Sequence, residues 1–379
     1  MKEQGRLSRA ESDAIYERRL RVDFLEHART ESRPIALFVI GQPGAGVTFA
    51  VERARAKAGG SAQTAVVVSQ DAIREYHPFW RDRGYGDLSA AARVEPDVDG
   101  WYDRLVGDVI AKRANLVIEA RLSVGEKVSQ VALRAQDAGY TNVATIVAAD
   151  RDESRIATLV AFDELRRMGT AARFVTAVEH DDAFDRVRTS VESLEADHSV
   201  DALRIITRAG HSVFRTQLRN GAWEQEGALA ALDAVRNRPL TARELADNAL
   251  RWQTVVQRLS VSGSIQREVL AQANRWQVEA TERAERDPEA RTLMQWGREA
   301  EAFRRLSHSR FLSEFPHHAK VVDRFRLAID HFESEYGNPY DRDRTIAVTR
   351  LRLADRIAEG RYAAQHPSQA GPENDELSR

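Results

Sequence analysis

The sequence predicts an α/β domain with a parallel β-sheet, followed by an all-helical C-terminal extension. Residues 34–40 form an apolar run, 41–48 are rich in glycine and 49–57 have a helical pattern, which is the order strand, turn and helix. Apolar runs rich in β-branched residues recur with spacings long enough for crossover helices, at residues 65–68, 116–118 and 143–147. Strand patterns cease after Pro239, and charged runs rich in Ala and Leu continue from there.

The remaining elements follow from local patterns. Residues 11–30 carry apolar side chains among charges and predict an amphipathic helix before the first strand. Two candidate strands at 203–207 and 212–216, followed by Asn220-Gly221, predict the last strands of the sheet. Breaks at 260–264, 315–316 and 337–339 divide the extension into four or five helices. The predicted segments are an N-terminal helical segment at 1–32, the sheet domain at 33–239, the helical domain at 240–364 and a disordered tail at 365–379.

The composition narrows the class of protein. The 379 residues include 56 Lys and Arg against 58 Asp and Glu, so the net charge of −2 gives no reason to expect nucleic acid or a membrane as a partner. There is no cysteine, which excludes disulfides and cysteine-bound metals. The first ten residues lack the apolar core of a signal peptide, and no run of about 18 apolar residues follows. We expect a soluble cytoplasmic protein, with His317 and His318 at its surface.

The glycine-rich segment predicts a phosphate-binding loop. The motif G-x-x-x-x-G-K-[ST] is matched, except at its lysine, by Gly41, Gln42, Pro43, Gly44, Ala45, Gly46, Val47 and Thr48. Backbone N–H groups of such a loop bind the phosphates of a nucleotide beside a helix N-terminus, and Thr48 would bind Mg²⁺. Val47 supplies no charge, so an arginine would have to replace the lysine, with candidates Arg53, Arg74, Arg121 and Arg173. A glycine turn without a ligand is the simpler interpretation, but the flanking strand and helix favour the phosphate site.

Polar residues that follow the predicted strands are candidates for chemistry, because ligands bind parallel sheets at the carboxyl ends of the strands. Asp71 and Arg74 follow the second strand, and Glu119 and Arg121 lie at the end of the third. Asp71 is suited to bind Mg²⁺ or to act as a base, and Glu119 to hold substrate or metal. Taken alone, Asp71 with Arg74 is more often a helix-start ion pair, and His77 is structural or shapes the substrate site. The position after a strand favours the functional interpretation of the carboxylates.

Together these motifs resemble the zeta-toxin family of P-loop kinases. The family pattern is Gly-Gln-Pro-Gly-x-Gly-Lys-Thr, then Asp-x-x-Arg-x-x-His-Pro, then a strand ending in Ile-Glu, and it is followed here at 41–48, 71–78 and 117–119. The resemblance extends from about residue 11 to about residue 225. It implies a P-loop fold and ATP-dependent phosphorylation of a hydroxyl of UDP-N-acetylglucosamine or a related nucleotide sugar, by the toxin of a toxin–antitoxin pair.

The resemblance also implies roles for individual residues. Asp71 would activate the sugar hydroxyl, Arg173 would contact the ATP phosphates and Thr48 would hold Mg²⁺. The implied substrate-binding residues are Arg74, His77, Glu119 and Arg121. The implied cofactors are ATP and Mg²⁺, and the implied partners are the nucleotide sugar and an antitoxin protein.

The sequence departs from the family pattern at three positions. Val47 replaces the lysine, Ala161 stands where the family has a phosphate-binding arginine, and Arg121 replaces a small hydroxyl residue. One alternative is therefore a catalytically impaired protein that binds a nucleotide or a protein partner. In a third hypothesis the helical extension covers the active cleft, which predicts that truncation near Pro239 raises activity.

Overall fold

The computed structural model of the chain describes residues 5–57, 64–84, 87–120, 126–261 and 266–362. Arg121 and the predicted tail at 365–379 lie outside the described residues. The chain divides into two compact units: unit 1 comprises residues 1–239 and 258–273, and unit 2 comprises residues 240–257 and 274–379.

Unit 1 contains a sheet with seven strands among the described residues. The strands are β1 Ile35–Ile40, β2 Val66–Ser69, β3 Leu116–Ala120, β4 Thr141–Ala148, β5 Ala202–Thr207, β6 Ser212–Arg219 and β7 Ala222–Trp223. Their order is β2-β3-β1-β4-β5-β6-β7. The first five strands are parallel, while β6 and β7 are antiparallel. The predicted α/β class is confirmed, with an antiparallel edge that ends in the two-residue turn at Asn220 and Gly221.

Helices connect the parallel strands and precede the first one. The helices of the sheet region are α1 Arg9–Ile15, α2 Arg21–Leu25, α3 Val47–Lys57, α4 Gln70–Arg74, α5 Pro78–Arg83, α6 Ala90–Lys112, α7 Glu126–Asp137, α8 Arg151–Arg167, α9 Ala177–Ala196 and α10 Ala228–Arg236. A π-helical turn, Tyr16–Leu20, joins α1 to α2. Tyr16, Leu20 and Leu25 are buried in the core of unit 1, so the N-terminal segment packs as an amphipathic helix does.

The two-residue period of β1 places its side chains on both faces of the sheet. Phe38 and Ile40 point to the larger core cluster, whereas Val39 packs in a second cluster with Val51 and Ala54 of α3. Both faces are therefore covered, as in parallel sheets generally. This packing fixes α3, and with it the glycine-rich loop, at the carboxyl end of β1.

Unit 2 is helical, and no described helix of the chain is long and apolar enough to cross a membrane. The helices after residue 240 are α11 Ala242–Val261, α12 Arg267–Arg286, α13 Pro288–Arg305, α14 His308–Glu314, α15 Ala319–Glu335 and α16 Pro339–Ala358. They outnumber the predicted four or five because α14 is a separate short helix. A 3₁₀ turn, Pro316–His318, follows α14. An aromatic cluster around Phe303, Phe311 and Phe325 forms the core of this unit.

Candidate functional site

The glycine-rich loop adopts a backbone that requires glycine at two positions. Gly44 and Gly46 have φ values of 79° and 96°, in the left-handed region that other residues rarely adopt. A Cβ on Gly44 would lie 2.0 Å from the backbone oxygen of Ser154, so the loop also approaches α8 closely. The N–H of Gly41 donates to the carbonyl oxygen of Ala120 at 3.1 Å, which ties the start of the loop to the end of β3. The loop is therefore held from two sides.

The side chain of Gln42 holds the loop from inside the protein. It is fully buried, and its Nε2 donates to the backbone oxygen of Ala149 at 3.1 Å and to Oγ of Ser154 at 3.3 Å. Arg236 donates to its Oε1 at 2.8 Å. Burial lowers the pKa of Arg236 to about 10, so this guanidinium stays charged near neutral pH. The side-chain amide of Gln42 therefore stabilises the conformation of the loop.

A Ser–His–Asp chain with a buried serine and histidine and a partly exposed aspartate continues from this contact. Nε2 of His180 lies 3.0 Å from Oγ of Ser154, and its Nδ1 lies 3.0 Å from Oδ1 of Asp181. Arg155 donates to the same carboxylate at 3.2 Å. Burial lowers the pKa of His180, which keeps the imidazole neutral near pH 7. Because Ser154 and His180 are fully buried, the chain cannot meet a substrate and positions the loop against α8 and α9.

A cleft of about 440 Å³ opens beside the loop. Its walls come from the loop, from α4 and α5, from α8 and from the segment that leads to α9. The residues that line it are Pro43, Gly44, Gly46, Val47, Thr48, Asp71, Arg74, Glu75, Trp80, Ala157, Thr158, Ala161, Phe162, Leu165, Ala171, Arg173, Val175 and Arg208. A cavity of this size is typical of a small-molecule site.

Asp71 lines the cleft from the first turn of α4. Oγ of Ser69 caps this helix by accepting from the N–H of Ala72 at 3.1 Å, and the positive helix end favours a carboxylate here. Arg74 forms an ion pair with Asp71 and a second with Glu95 at 2.9 Å. Burial opposes the charge of Arg74, but the two carboxylates outweigh it and raise its pKa. The Arg74 side chain is 1% exposed and that of Asp71 45%, so the buried cation orients a carboxylate that still faces solvent.

Arg208 is a cation at the loop that was not among the arginines predicted from the sequence. It directly follows β5, and its guanidinium donates to the carbonyl oxygen of Gly44. Its Nε lies 3.6 Å from a carboxylate oxygen of Glu153, and the side chain is 34% exposed. The signal was present in the sequence, because Arg208 follows a parallel strand just as Asp71 does.

Arg173 also lines the cleft, on the segment between α8 and α9. The side chain is 16% exposed and donates to Oε1 of Glu179 at 2.9 Å. The other oxygen of Glu179 accepts from Thr176 in the capping box of α9. Arg173 is thus fixed by the helix start that follows it. Ala161, where the family pattern has an arginine, is exposed on the cleft wall and brings no charge.

Val47 belongs both to the cleft wall and to the core. Its side chain is 3% exposed and packs in the cluster that contains Val39 and Ala50. One of its methyl groups would lie 2.8 Å from a Cβ on Gly41. The position that carries a flexible cation in the motif is therefore a packed aliphatic residue.

Other predicted site residues lie elsewhere. His77 is fully buried, 3.4 Å from Asp97 through Nε2 and against the ring of Trp101. Burial lowers the pKa of His77. Glu119 is half-buried in β3, and neither it nor His77 is among the described residues that line the cleft. Arg53 packs over the ring of Phe49, away from the cleft-lining set.

The end of α11 and the start of α12, which belong to unit 1, support the wall of the cleft. Arg258 approaches Asp163 of α8 at 2.7 Å, and the Asp163 side chain is 2% exposed. Gln272 accepts from the N–H of Ala177 at 2.8 Å and donates to the carbonyl oxygen of Val175 at 3.0 Å. These contacts hold α8 and the Arg173 segment in place.

The sheet order, the glycine loop and the cleft at the carboxyl ends of the strands define a P-loop type of α/β domain. The family model described as zeta toxin matches residues 22–219, more than half of the chain, and the chain belongs to the zeta toxin family. This membership confirms the resemblance seen in the sequence. No curated protein matches the sequence.

A solved structure that matches with a TM-score above 0.5 shows the same fold. The PezAT chromosomal toxin–antitoxin system of Streptococcus pneumoniae matches with a TM-score of 0.54 and 19% identity, over 67% of this chain and 99% of that chain. AvrRxo1-ORF1:AvrRxo1-ORF2 with sulphate ions matches with a TM-score of 0.44 and 16% identity, over 73% of this chain and 87% of that chain. The AvrRxo1 complex with ATP gives the same values.

Proposed function

We propose that this chain is an ATP-dependent phosphotransferase that phosphorylates a hydroxyl of a nucleotide sugar such as UDP-N-acetylglucosamine. Membership of the zeta toxin family supports the reaction class. The observation that carries the proposal is that the phosphate-type loop, Asp71, Arg173 and Arg208 line one cleft. Phosphoryl transfer needs such a set, because its catalysis is mostly positioning and charge neutralisation.

The nucleotide would bind with its phosphates at the loop. The first amides of an α-helix have no acceptor within the helix, so the start of α3 offers N–H groups to an anion. Thr48 and Asp71 present oxygen atoms in the same cleft, and oxygen ligands are those that Mg²⁺ prefers. Mg²⁺, when bound with ATP, neutralises charge on the phosphates. The residues present therefore fit the nucleotide and its metal.

Two arginines would replace the missing cations of the family pattern. Arg208 lies across the loop through its contact with Gly44 and would neutralise phosphate charge in place of a lysine at position 47. Arg173 lies on the segment between α8 and α9 and would contact the γ-phosphoryl group that is transferred. Arg208 has Glu153 as a carboxylate neighbour, and Arg173 has Glu179. Each carboxylate orients its arginine and offsets part of the positive charge that a phosphate would meet.

Asp71 would act on the acceptor hydroxyl. Its pairing with buried Arg74 holds the carboxylate in one orientation. From there it would accept a hydrogen bond from the sugar hydroxyl and take its proton as the oxygen attacks the γ-phosphorus. The bond from the γ-phosphorus to the β–γ bridging oxygen breaks in the same transfer, and ADP leaves. Arg74 lines the cleft beside Asp71, and Glu119 and His77 would support the acceptor side from outside the lining set. Arg121 stays a predicted substrate-binding residue.

We further propose that the chain is the toxin of a toxin–antitoxin pair that acts in the cytoplasm, where ATP and nucleotide sugars are available. The family supports this role. The antitoxin would be a protein partner, and the cleft is the surface whose obstruction would silence the activity.

The test is phosphoryl transfer by the purified full chain. The protein is incubated with γ-labelled ATP, Mg²⁺ and UDP-N-acetylglucosamine, and labelled sugar nucleotide is separated by chromatography. Asp71→Asn is the matched control, because it keeps the size of the side chain and removes the base. Labelled product with the wild type and about 100-fold less with the variant supports the proposal. Equal signal from both would contradict it.

A second candidate function is a nucleotide-binding protein that transfers no phosphate. Burial of Val47 in the core favours it, because an aliphatic side chain stabilises the loop without neutralising phosphates. This candidate predicts saturable binding of ATP with no labelled product for any nucleotide-sugar acceptor. A panel of UDP-, GDP- and ADP-linked sugars distinguishes it from a kinase with another acceptor.

A further inference from the structure

Unit 2 contains a second group of convergent polar side chains that the proposed function does not use. Glu299 of α13 meets His317 and His318 of the 3₁₀ turn. Oε2 of Glu299 lies 2.8 Å from Nε2 of His318 and 3.4 Å from Nε2 of His317. One ligand atom from each residue lies within 4.8 Å of the other two. Both histidines were expected at the surface from the sequence, which is wrong for His318: it is 1% exposed.

The surrounding side chains hold these groups in place. The ring of His318 stacks on Phe311 with centroids 5.6 Å apart and an angle of 20°. The two imidazole rings lie side by side, with centroids 4.2 Å apart. Gln295 donates to Oε1 of Glu299 at 3.0 Å, which leaves Oε2 for the histidines. The three ligand atoms are thus oriented by contacts that need no ion.

Hydrogen bonding explains only part of this arrangement. The contact of His318 with Glu299 has the length of a normal hydrogen bond, but 3.4 Å for His317 exceeds the usual 2.7–3.2 Å range. In a tetrahedral zinc site with bonds of about 2.0–2.1 Å, neighbouring ligand atoms are about 3.3 Å apart. The separation of His317 from the carboxylate oxygen is close to this spacing, whereas the 2.8 Å separation of His318 would lengthen by about 0.5 Å around an ion.

We propose that Glu299, His317 and His318 bind a divalent transition metal, with Zn²⁺ as the best match. Two imidazole nitrogens and one carboxylate oxygen form a set that suits Zn²⁺, whereas Mg²⁺ and Ca²⁺ prefer oxygen ligands. The His317 side chain is 35% exposed and opens a path for the ion and for a water as fourth ligand. The bound ion would tie α13 to the junction of α14 and α15.

The affinity should be moderate. Metal-bound histidines usually donate their other ring nitrogen to an acceptor, and loss of that support costs 10–100-fold in affinity. Nδ1 of His318 is buried and has no hydrogen-bond partner among the described residues. We therefore expect a dissociation constant on the order of micromolar rather than nanomolar.

Calorimetric titration of the untagged, chelator-treated full chain with ZnCl₂ tests the proposal. We expect one equivalent bound with micromolar affinity, a melting temperature raised by several degrees at saturation, and no response to MgCl₂. His317→Gln should weaken binding at least tenfold and abolish the rise without lowering the metal-free melting temperature. His331→Gln, an exposed histidine on α15, is the matched control and should bind as the wild type does.

Two results would overturn the proposal. One is the absence of stoichiometric zinc binding at zinc concentrations up to about 100 times the expected dissociation constant. The other is equal affinity of the wild type and His317→Gln, which would assign the binding to other groups. If His317→Gln does not fold, the visible spectrum of the wild type with Co²⁺ decides the matter, because tetrahedral coordination gives intense bands and octahedral surface binding does not. The outcome is independent of phosphoryl transfer.

Discussion

Replacement of Arg208 by alanine should weaken the binding of a nucleoside triphosphate. At about 4 Å and an effective dielectric constant of about 20, a full charge pair is worth about 4 kcal/mol. Arg208 is 34% exposed and has Glu153 at 3.6 Å, so only part of this energy is available to a phosphate. We expect a loss of about 1.4–2 kcal/mol, which corresponds to about a 10–30-fold rise in the dissociation constant.

A fluorescent ATP analogue with Mg²⁺ measures this change by polarisation. Arg53→Ala on α3 is the matched control, since it removes the same charge from a side chain that is not among the described residues lining the cleft. A lysine introduced at Val47 in the Arg208→Ala chain should recover part of the affinity, because it places a cation at the same phosphates. Unchanged affinity in Arg208→Ala, or an equal loss in Arg53→Ala, would show that Arg208 does not neutralise the phosphates.

Three further predictions concern stability. Gly44→Ala should lower the free energy of unfolding by about 2–4 kcal/mol in urea titration. The added Cβ would meet the Ser154 oxygen, and the φ of 79° is unfavourable for alanine. A loss below about 0.5 kcal/mol would contradict this close contact and strained backbone. Burial lowers the pKa of His180 from 6.5, so the unfolded chain binds more protons than the folded one. The free energy of unfolding should therefore fall as pH drops below about 6.5, and it should fall less steeply in His180→Gln. Identical slopes of unfolding free energy against pH would exclude His180 as the cause. Arg258→Ala leaves the Asp163 carboxylate buried and unpaired and should cost about 2–3 kcal/mol, whereas exposed Arg251→Ala on the same helix should change melting little.

The Arg258 contact also bears on the hypothesis that the helical extension inhibits the enzyme. A chain that ends near Pro239 lacks Arg258 and Gln272, both of which support the cleft wall. Loss of activity on truncation would therefore follow from loss of support, and it would not show that the extension is needed for chemistry. Only a rise in activity would favour the inhibitor hypothesis.

Much of the fold was predictable because it depends on local patterns. The apolar run of β1, the glycines after it and the helix pattern of α3 lie next to each other in the sequence, so strand, loop and helix could be derived directly. Asp71 was found by the same local rule, as a carboxylate placed directly after a strand. The two later strands and the Asn220-Gly221 turn were also predicted, but their antiparallel pairing was not.

What the sequence could not supply were contacts between distant segments. Arg208 lies more than 160 residues after Gly44, and only the folded sheet brings them together. The burial of Gln42 depends on Arg236, which is 194 residues away. His318 was expected at the surface because an isolated histidine pair has no local signal of burial, whereas the structure stacks it on Phe311.

The proposed function requires that a loop without its lysine still binds ATP with Mg²⁺ in the cleft. Calorimetric titration of the wild-type chain with a non-hydrolysable ATP analogue and Mg²⁺ tests it without assuming any acceptor. We expect one site with micromolar affinity that weakens when Mg²⁺ is omitted. No heat of binding up to millimolar nucleotide would contradict it.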